Sequence, residues 1–134
     1  MFSEKFFPRF GDSDACGHIN NAVMPVWFEH ARNPVLRIFQ PDFDYKKWST
    51  IVAHIEVDFV SQIHLDKEVE IRTYISKVGN SSFEIYNEAW QDGILGAKGK
   101  AVLIHYDFTI QKSQPIPETI KKQLLEHFID LENK

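Results

Sequence analysis

The sequence has one cysteine, no long apolar run and no excess of basic residues. Cys16 alone cannot form a disulfide within the chain, which favours a reducing compartment. No window approaches the ~20 apolar residues of a membrane helix, and the first ten residues lack the apolar run of a signal peptide. The 15 Lys and Arg stand against 19 Asp and Glu, a net charge of −4 that disfavours non-specific binding to nucleic acid. We therefore expect a cytoplasmic protein without a membrane or nucleic-acid partner.

What the chain does contain is material for one core. Its 134 residues are 43% hydrophobic and include eleven Phe and three Trp. This length suits a single domain and leaves no room for a second core of useful size. Residues 1–134 are therefore predicted to form one domain.

The hydrophobic pattern changes period along the chain. Residues 4–10 are predicted to form a short strand, and residues 22–39 show the apolar spacing of a helix with a break at Pro34. From Thr50 the period falls to two, and Pro117 opens a C-terminal helix. The alternating runs cover residues 51–60, 68–75, 83–88 and 101–110. Short turns between these runs predict an antiparallel meander or a closely related arrangement, so we expect an α+β fold in which a long sheet wraps one central helix.

The polar loop before the central helix is the unusual stretch of the sequence. Its ionisable and amide side chains belong to Asp12, Asp14, Cys16, His18, Asn20 and Asn21. The start of a helix presents unpaired N–H groups and a positive dipole end, which can polarise a carbonyl beside a carboxylate that acts as base or nucleophile. The alternative interpretation is that these residues only form turns and that Asn20 or Asn21 caps the helix.

Residues 9–32, RFGDSDACGHINNAVMPVWFEHAR, resemble the signature of hotdog-fold acyl-CoA thioesterases of the 4-hydroxybenzoyl-CoA thioesterase-like branch. That family reads D-x-D-x-x-G-H-V-N-N-A-x-Y, followed after about eight residues by E-x-A-R. The matching positions are Asp12, Asp14, Gly17, His18, Asn20, Asn21, Ala22, Glu29, Ala31 and Arg32. The resemblance implies a hotdog fold for residues 1–134 and hydrolysis of an acyl-CoA thioester.

The resemblance also implies roles for individual residues. Asp14 matches the catalytic carboxylate, and His18 matches a histidine that assists it. The family's helix start donates backbone N–H to the thioester oxygen, a role that falls here on Gly17, His18 or Asn21. We therefore predict Asp14, His18 and Asn21 as catalytic residues and Gly17 as a substrate-binding residue.

Three further residues are predicted to bind substrate. Asn20 belongs to the matched motif, and Met24 stands where the family usually has Tyr. Gln62 lies near the place where some relatives carry a polar assistant. No cofactor is expected, and no metal site is expected because the histidines lack H-E-x-x-H or C-x-x-C spacing. A thiol nucleophile formed by Cys16 with His18 is a weaker alternative.

Two alternatives to an acyl-CoA thioesterase stay open at this point. The chain resembles proteins that act on acyl-carrier-protein thioesters, and the same fold also hosts non-catalytic acyl-CoA binders. The catalytic carboxylate at Asp14 favours an enzyme. Because a single sheet leaves exposed edges, we further predict a homodimer joined edge to edge, or a homotetramer built from it, with the active site at the subunit boundary.

Overall fold

A computed structural model describes residues 1–133. The α-helices are α1 (Met24–Ala31), α2 (Asn33–Phe39) and α3 (Glu118–Leu125). The strands are β1 (Phe2–Phe6), β2 (Thr50–Phe59), β3 (Val69–Val78), β4 (Ser82–Gln91), β5 (Ile94–Asp107) and β6 (Lys112–Ser113). No helix in this part of the chain is long and apolar enough to cross a membrane.

One antiparallel sheet curls around the central helix. Its strand order is β1-β3-β4-β5-β2, and β6 pairs with the end of β5. Because side chains alternate between the two faces of a strand, the inner face of β3, β4 and β5 is buried. In β4, Tyr86 and Glu88 on the outer face are buried as well. The predicted α+β class, with one helix against one long antiparallel sheet, is confirmed.

The central helix is interrupted where the sequence predicts. Its two parts, α1 and α2, meet just before Pro34, which has no N–H for a continuous helix. The predicted cap is wrong, since α1 begins at Met24 with Val23 at the N-cap. The Asn20 carboxamide oxygen accepts from the Ala22 N–H at 2.9 Å, so the Asn20 side chain closes a turn that precedes the helix.

The predicted meander is correct for β3, β4 and β5 but wrong for β2. This strand lies at the far edge of the sheet beside β5, and residues 60–68 cross the ends of β5 and β4 to reach β3. The N–H groups of Val60 and Ser61 donate to the Gly96 carbonyl at 2.8 and 3.1 Å, and Gln91 holds the backbone of His64. These long-range hydrogen bonds fix the crossing, and the alternation within β2 contains no information about them.

The first strand is shifted relative to its prediction. It covers Phe2–Phe6 instead of residues 4–10, and the chain leaves the sheet before Pro8 and enters a short 3-10 helix at Phe10–Asp12. A proline cannot donate to a strand ladder, which is consistent with this early end.

Two groups of buried side chains form the core. The first lies between α1 and the sheet and contains Met24, Trp27, Phe28, Ala31, Ile63, Val69, Ile71, Ala89 and Ala97. The second lies beneath α2 and α3 and contains Val35, Phe39, Ile75, Phe83, Ile85, Ala101, Leu103, Ile116 and Leu124. Burial of each large apolar side chain contributes ~1.5–3 kcal/mol to folding.

Gly96 lets the crossing segment approach β5 closely. A Cβ at this position would overlap Cγ1 of Ile63 and lie 2.6 Å from its Cδ1, and Ile63 is itself buried. We expect Gly96→Ala to lower the free energy of unfolding by about 1–3 kcal/mol through overpacking, as measured by urea denaturation. The matched control is Gly11→Ala, because a Cβ at Gly11 would have no neighbour within 4 Å. Equal stability of the two variants would contradict the close packing of Ile63 on Gly96.

Candidate active site

The loop before α1 is a tight hairpin. Ser13 and Ile19 form an antiparallel bridge, and the Asp14 N–H donates to the His18 carbonyl at 2.8 Å. At its tip Gly17 has φ of +77°, a left-handed conformation that glycine adopts without a steric penalty. The hairpin therefore holds Asp14 in a defined place before the helix begins.

Asp12 stabilises the base of this hairpin through hydrogen bonds. Its side chain is buried and accepts from the Arg9 N–H at 2.8 Å and from Nη2 of Arg9 at 3.3 Å. Its own carbonyl accepts from the Asn20 N–H at 2.8 Å. Of the two aspartates of the motif, Asp12 is thus the structural one.

Asp14 uses only one carboxylate oxygen in the turn. Oδ1 accepts from the Cys16 N–H at 2.8 Å and from the His18 N–H at 3.3 Å. Within residues 1–133, Oδ2 has no hydrogen-bond partner. Asp14 can therefore form the turn and also act as a catalytic carboxylate, because the turn uses Oδ1 and leaves Oδ2 unbonded.

Asp14 borders a cavity of about 570 Å³. The lining is formed by Asp14, Ile19, Asn20, Asn21, Met24, Phe59, Val60, Ser61, Gln62, Ile63 and Gly96. Five of the predicted site residues are in this lining: Asp14, Asn20, Asn21, Met24 and Gln62. The other two, Gly17 and His18, lie in the hairpin beside it, and neither contributes to the wall.

Two residues with backbone N–H groups that are unbonded in the described part of the chain line the same cavity at the start of the helix. The Val23 N–H donates to the Asn20 carbonyl at 3.0 Å, whereas the N–H groups of Asn21 and Met24 have no acceptor within residues 1–133. The N–H groups of Gly17 and His18 are already bound to Asp14. Asn21 and Met24 are therefore the backbone donors that a carbonyl oxygen in the cavity could use.

Comparison with known protein families adds an independent finding. The family model of the thioesterase-like superfamily matches residues 8–124, which include the whole hairpin, both parts of the central helix and most of the sheet. This chain belongs to the thioesterase-like superfamily.

Solved structures of similar proteins extend this result. A predicted thioesterase from Bacillus stearothermophilus is 37% identical, with 96% of this chain and 97% of that chain covered and a TM-score of 0.92. A thioesterase from Thermus thermophilus, solved in complex with coenzyme A and Zn, is 30% identical, with 92% and 91% covered and a TM-score of 0.81. The hotdog fold expected from the sequence is confirmed.

A curated relative is the protein YsmA of Bacillus subtilis (strain 168), described as uncharacterized. It is 29% identical over 85 residues, which are 63% of this chain. The matched region spans 58% of the length of that relative. This similarity adds no information about substrate.

Metal-ligating side chains do not cluster in the described part of this thioesterase-like chain. Among residues 1–133, no group of three or more His, Cys, Asp and Glu side chains could hold a metal ion.

The crossing segment 60–68 supplies three of the six lining residues that sequence reasoning missed. It contributes Val60, Ser61 and Ile63 to the cavity wall, and the sequence predicts only Gln62 there. The segment also pairs with the hairpin, because the Ile19 N–H donates to the Ile63 carbonyl at 2.9 Å. The alternating pattern ends near residue 60, so the sequence indicates only a turn.

His64 and Gln91 are two further residues of the thioesterase-like fold that the sequence does not single out. The rings of His18 and His64 meet edge to face with centroids 5.2 Å apart. Gln91 is buried, and its amide accepts from the His64 N–H and donates to the His64 carbonyl, both at 2.8 Å. The same amide nitrogen donates to the Lys67 carbonyl at 3.1 Å. Gln91 thus fixes the segment that faces the hairpin of Asp14.

Proposed function

We propose that this protein is an acyl-CoA thioesterase that uses Asp14 as its catalytic carboxylate. The observation that supports this proposal best is that Asp14 and Asn21 line the same cavity, while Oδ2 of Asp14 and the backbone N–H of Asn21 have no hydrogen-bond partner within residues 1–133. A carboxylate and a backbone donor around one space are the groups that hydrolysis of a thioester needs. The complex of the Thermus relative with coenzyme A supports the coenzyme A part of the substrate.

In the proposed reaction the thioester oxygen accepts a hydrogen bond from the Asn21 N–H. Asp14 removes a proton from water while the water oxygen bonds to the carbonyl carbon. The carbon–sulfur bond then breaks, and the proton held by Asp14 passes to the departing thiolate. The alternative is direct attack by Asp14, which gives a mixed anhydride that water hydrolyses while the thiolate takes a proton from solvent.

His18 has an orienting role in this scheme. Its N–H donates to Oδ1 of Asp14, which leaves Oδ2 for the substrate. Asn20, Met24 and Gln62 line the cavity and are proposed to contact the acyl group, and Gly17 is proposed to shape the turn that places Asp14. The proposed site is therefore one hairpin, one helix start and one crossing segment.

A panel of acyl-CoA esters with detection of free thiol tests the function. The panel contains short and long aliphatic esters and aromatic esters, including 4-hydroxybenzoyl-CoA. We expect thiol release from at least one acyl-CoA well above the background hydrolysis. Release only from acyl-carrier-protein esters would favour that substrate class, and binding of acyl-CoA without release would favour a non-catalytic binder.

We further propose that the active form is a homodimer, or a homotetramer built from it, in the cytoplasm. Strand β2 has hydrogen-bonded neighbours on one side only within residues 1–133, and along it Ile51, Val52, Ile55 and Phe59 are exposed. An open apolar edge of this kind favours pairing with another strand.

Light scattering at micromolar concentration should therefore give twice or four times the chain mass of 15.6 kDa. The physical reason is that pairing of two β2 edges satisfies their open backbone groups and covers their apolar side chains. An active monomer at that concentration would contradict the proposal.

A further inference from the structure

Arg32 is a buried charge beside the open edge of the sheet. It follows α1 directly, and only 7% of its surface is exposed. Its side chain borders a narrow slot between α1 and β2, together with Phe28, Ile55 and Val57. A guanidinium is always charged in proteins and needs acceptors for its five N–H groups.

Arg32 has no such acceptors in the described part of its own chain. Within residues 1–133 its side chain makes no ion pair and no hydrogen bond. Glu29 lies one helical turn earlier and is exposed, but the two side chains do not meet. Burial lowers the pKa of Arg32, and the charge of Glu29 opposes that shift. Within residues 1–133 no fully buried side-chain nitrogen or oxygen lacks a partner, so the unbonded guanidinium nitrogens of Arg32 keep contact with solvent, and an anion from outside the protomer can reach them there.

The geometry of the edge indicates where that anion comes from. If two β2 strands pair antiparallel about a two-fold axis, the axis is perpendicular to the sheet, and both α1 helices lie on the same face beside the seam. The two helices then run antiparallel to each other. The slot places Arg32 beside Ile55 and Val57, near the middle of β2, so an axis through the middle of β2 passes close to the end of α1. Residues about one turn apart there lie opposite each other on the two helices, and packed helices ~8–10 Å apart are within the span of two long side chains.

Glu29 is the carboxylate that fits this position. It is the only acidic residue of α1. The acidic residues of β2 are Glu56 and Asp58. Glu56 also borders the slot, but both residues alternate with Ile55 and Val57 and line a separate cavity on the opposite face of the strand.

We propose that Arg32 of one protomer pairs with Glu29 of a second copy of this chain across joined β2 edges, and that the reciprocal pair forms at the same seam. This inference rests on the homodimer of the proposed function. It assigns the two ends of the E-x-A-R motif to recognition between identical subunits. Because the pair is isologous, each dimer contains it twice.

Charge reversal tests the pair. Arg32→Glu places a carboxylate opposite Glu29 of the other copy, and Glu29→Arg places a second guanidinium opposite Arg32 of the other copy. Each variant alone should therefore dissociate at least ~10-fold more readily than the wild type, because like charges face each other twice in the dimer. When the two variants are mixed, both contacts across the seam become attractive again. We therefore expect a heterodimer of near wild-type affinity, measured by sedimentation velocity with one variant fluorescently labelled.

The mixture separates contacts between subunits from contacts within one. Within each variant chain, positions 29 and 32 carry charges of the same sign. Mixing the variants therefore cannot restore a pair within one protomer and can restore only a pair between protomers. The matched control is Glu126→Arg, an equal charge change at an exposed residue just after α3, which packs on β3 rather than at the β2 edge. This control should dissociate like the wild type.

Each outcome decides the proposal. If Arg32→Glu does not fold, as judged by circular dichroism, Glu29→Arg against Glu126→Arg still tests the pair, because Glu29 is exposed. A dimeric Glu29→Arg with unchanged dissociation overturns the pair and leaves the homodimer and the thioesterase proposal intact.

A monomeric wild type overturns both dimer and pair, while thiol release tests the activity separately. Saturable binding of inorganic phosphate that is lost in Arg32→Gln would assign the slot to a small anion instead and overturn the pair.

Discussion

Asp14→Asn is expected to lower kcat by roughly 10²–10⁴-fold, the usual contribution of a positioned acid–base group. Asparagine keeps the size of the side chain, and its carbonyl oxygen can still accept from the N–H groups of Cys16 and His18. What it loses is the negative charge at the position of Oδ2, which both the base role and the nucleophile role require. The measurement is steady-state thiol release with the best acyl-CoA of the panel.

The hairpin itself should survive this substitution. We expect the melting temperature and the affinity for acyl-CoA to change little, because the hydrogen bonds of the turn remain. The control is Asp66→Asn, which removes the same charge at an exposed residue outside the cavity wall. Near wild-type turnover by Asp14→Asn would leave Asp14 as a turn former only.

The sequence predicts those parts of the fold that local patterns determine. The break before Pro34 follows from a missing N–H. One of the short turns expected between the alternating runs falls at Asp92 and Gly93, two residues that tolerate positive φ, observed at 53° and 72°. The position of β2 is different, because strand alternation reports which face is buried and not which neighbour is paired. That neighbour is set by hydrogen bonds from residues 60–68 to β5 and β4.

The candidate site also has a part that the sequence predicts and a part that it does not. Its contiguous part, from Asp12 to Met24, is predictable because one motif holds the carboxylate, the turn glycine and the helix start together. Its remote part is not, because Gly96 and Gln91 act only through segments that fold back on them from distant positions. A glycine inside a strand pattern is a signal for close approach, whereas a glutamine at a strand end has no such signature.

Gln91→Leu is expected to lower both the stability of the fold and the catalytic efficiency. Leucine has a similar size, but it removes the three hydrogen bonds through which Gln91 holds His64 and Lys67. With about 1 kcal/mol for each hydrogen bond, we expect the free energy of unfolding to fall by roughly 2–4 kcal/mol, as measured by urea denaturation. The segment 60–68 then loses its fixed position against the hairpin, so kcat/KM should fall by at least ~10-fold even well below the melting temperature.

A second buried glutamine separates positioning from stability in this experiment. The amide nitrogen of Gln40 donates to the Lys47 carbonyl and to Oγ of Ser49, after α2 and away from the cavity wall. Gln40→Leu should lower stability by a comparable amount and leave kcat/KM close to wild type in folded protein. Equal losses of activity in the two variants would mean that Gln91 acts only through global stability. A loss confined to Gln91→Leu would show that the crossing segment must be held in place for Asp14 to meet its substrate.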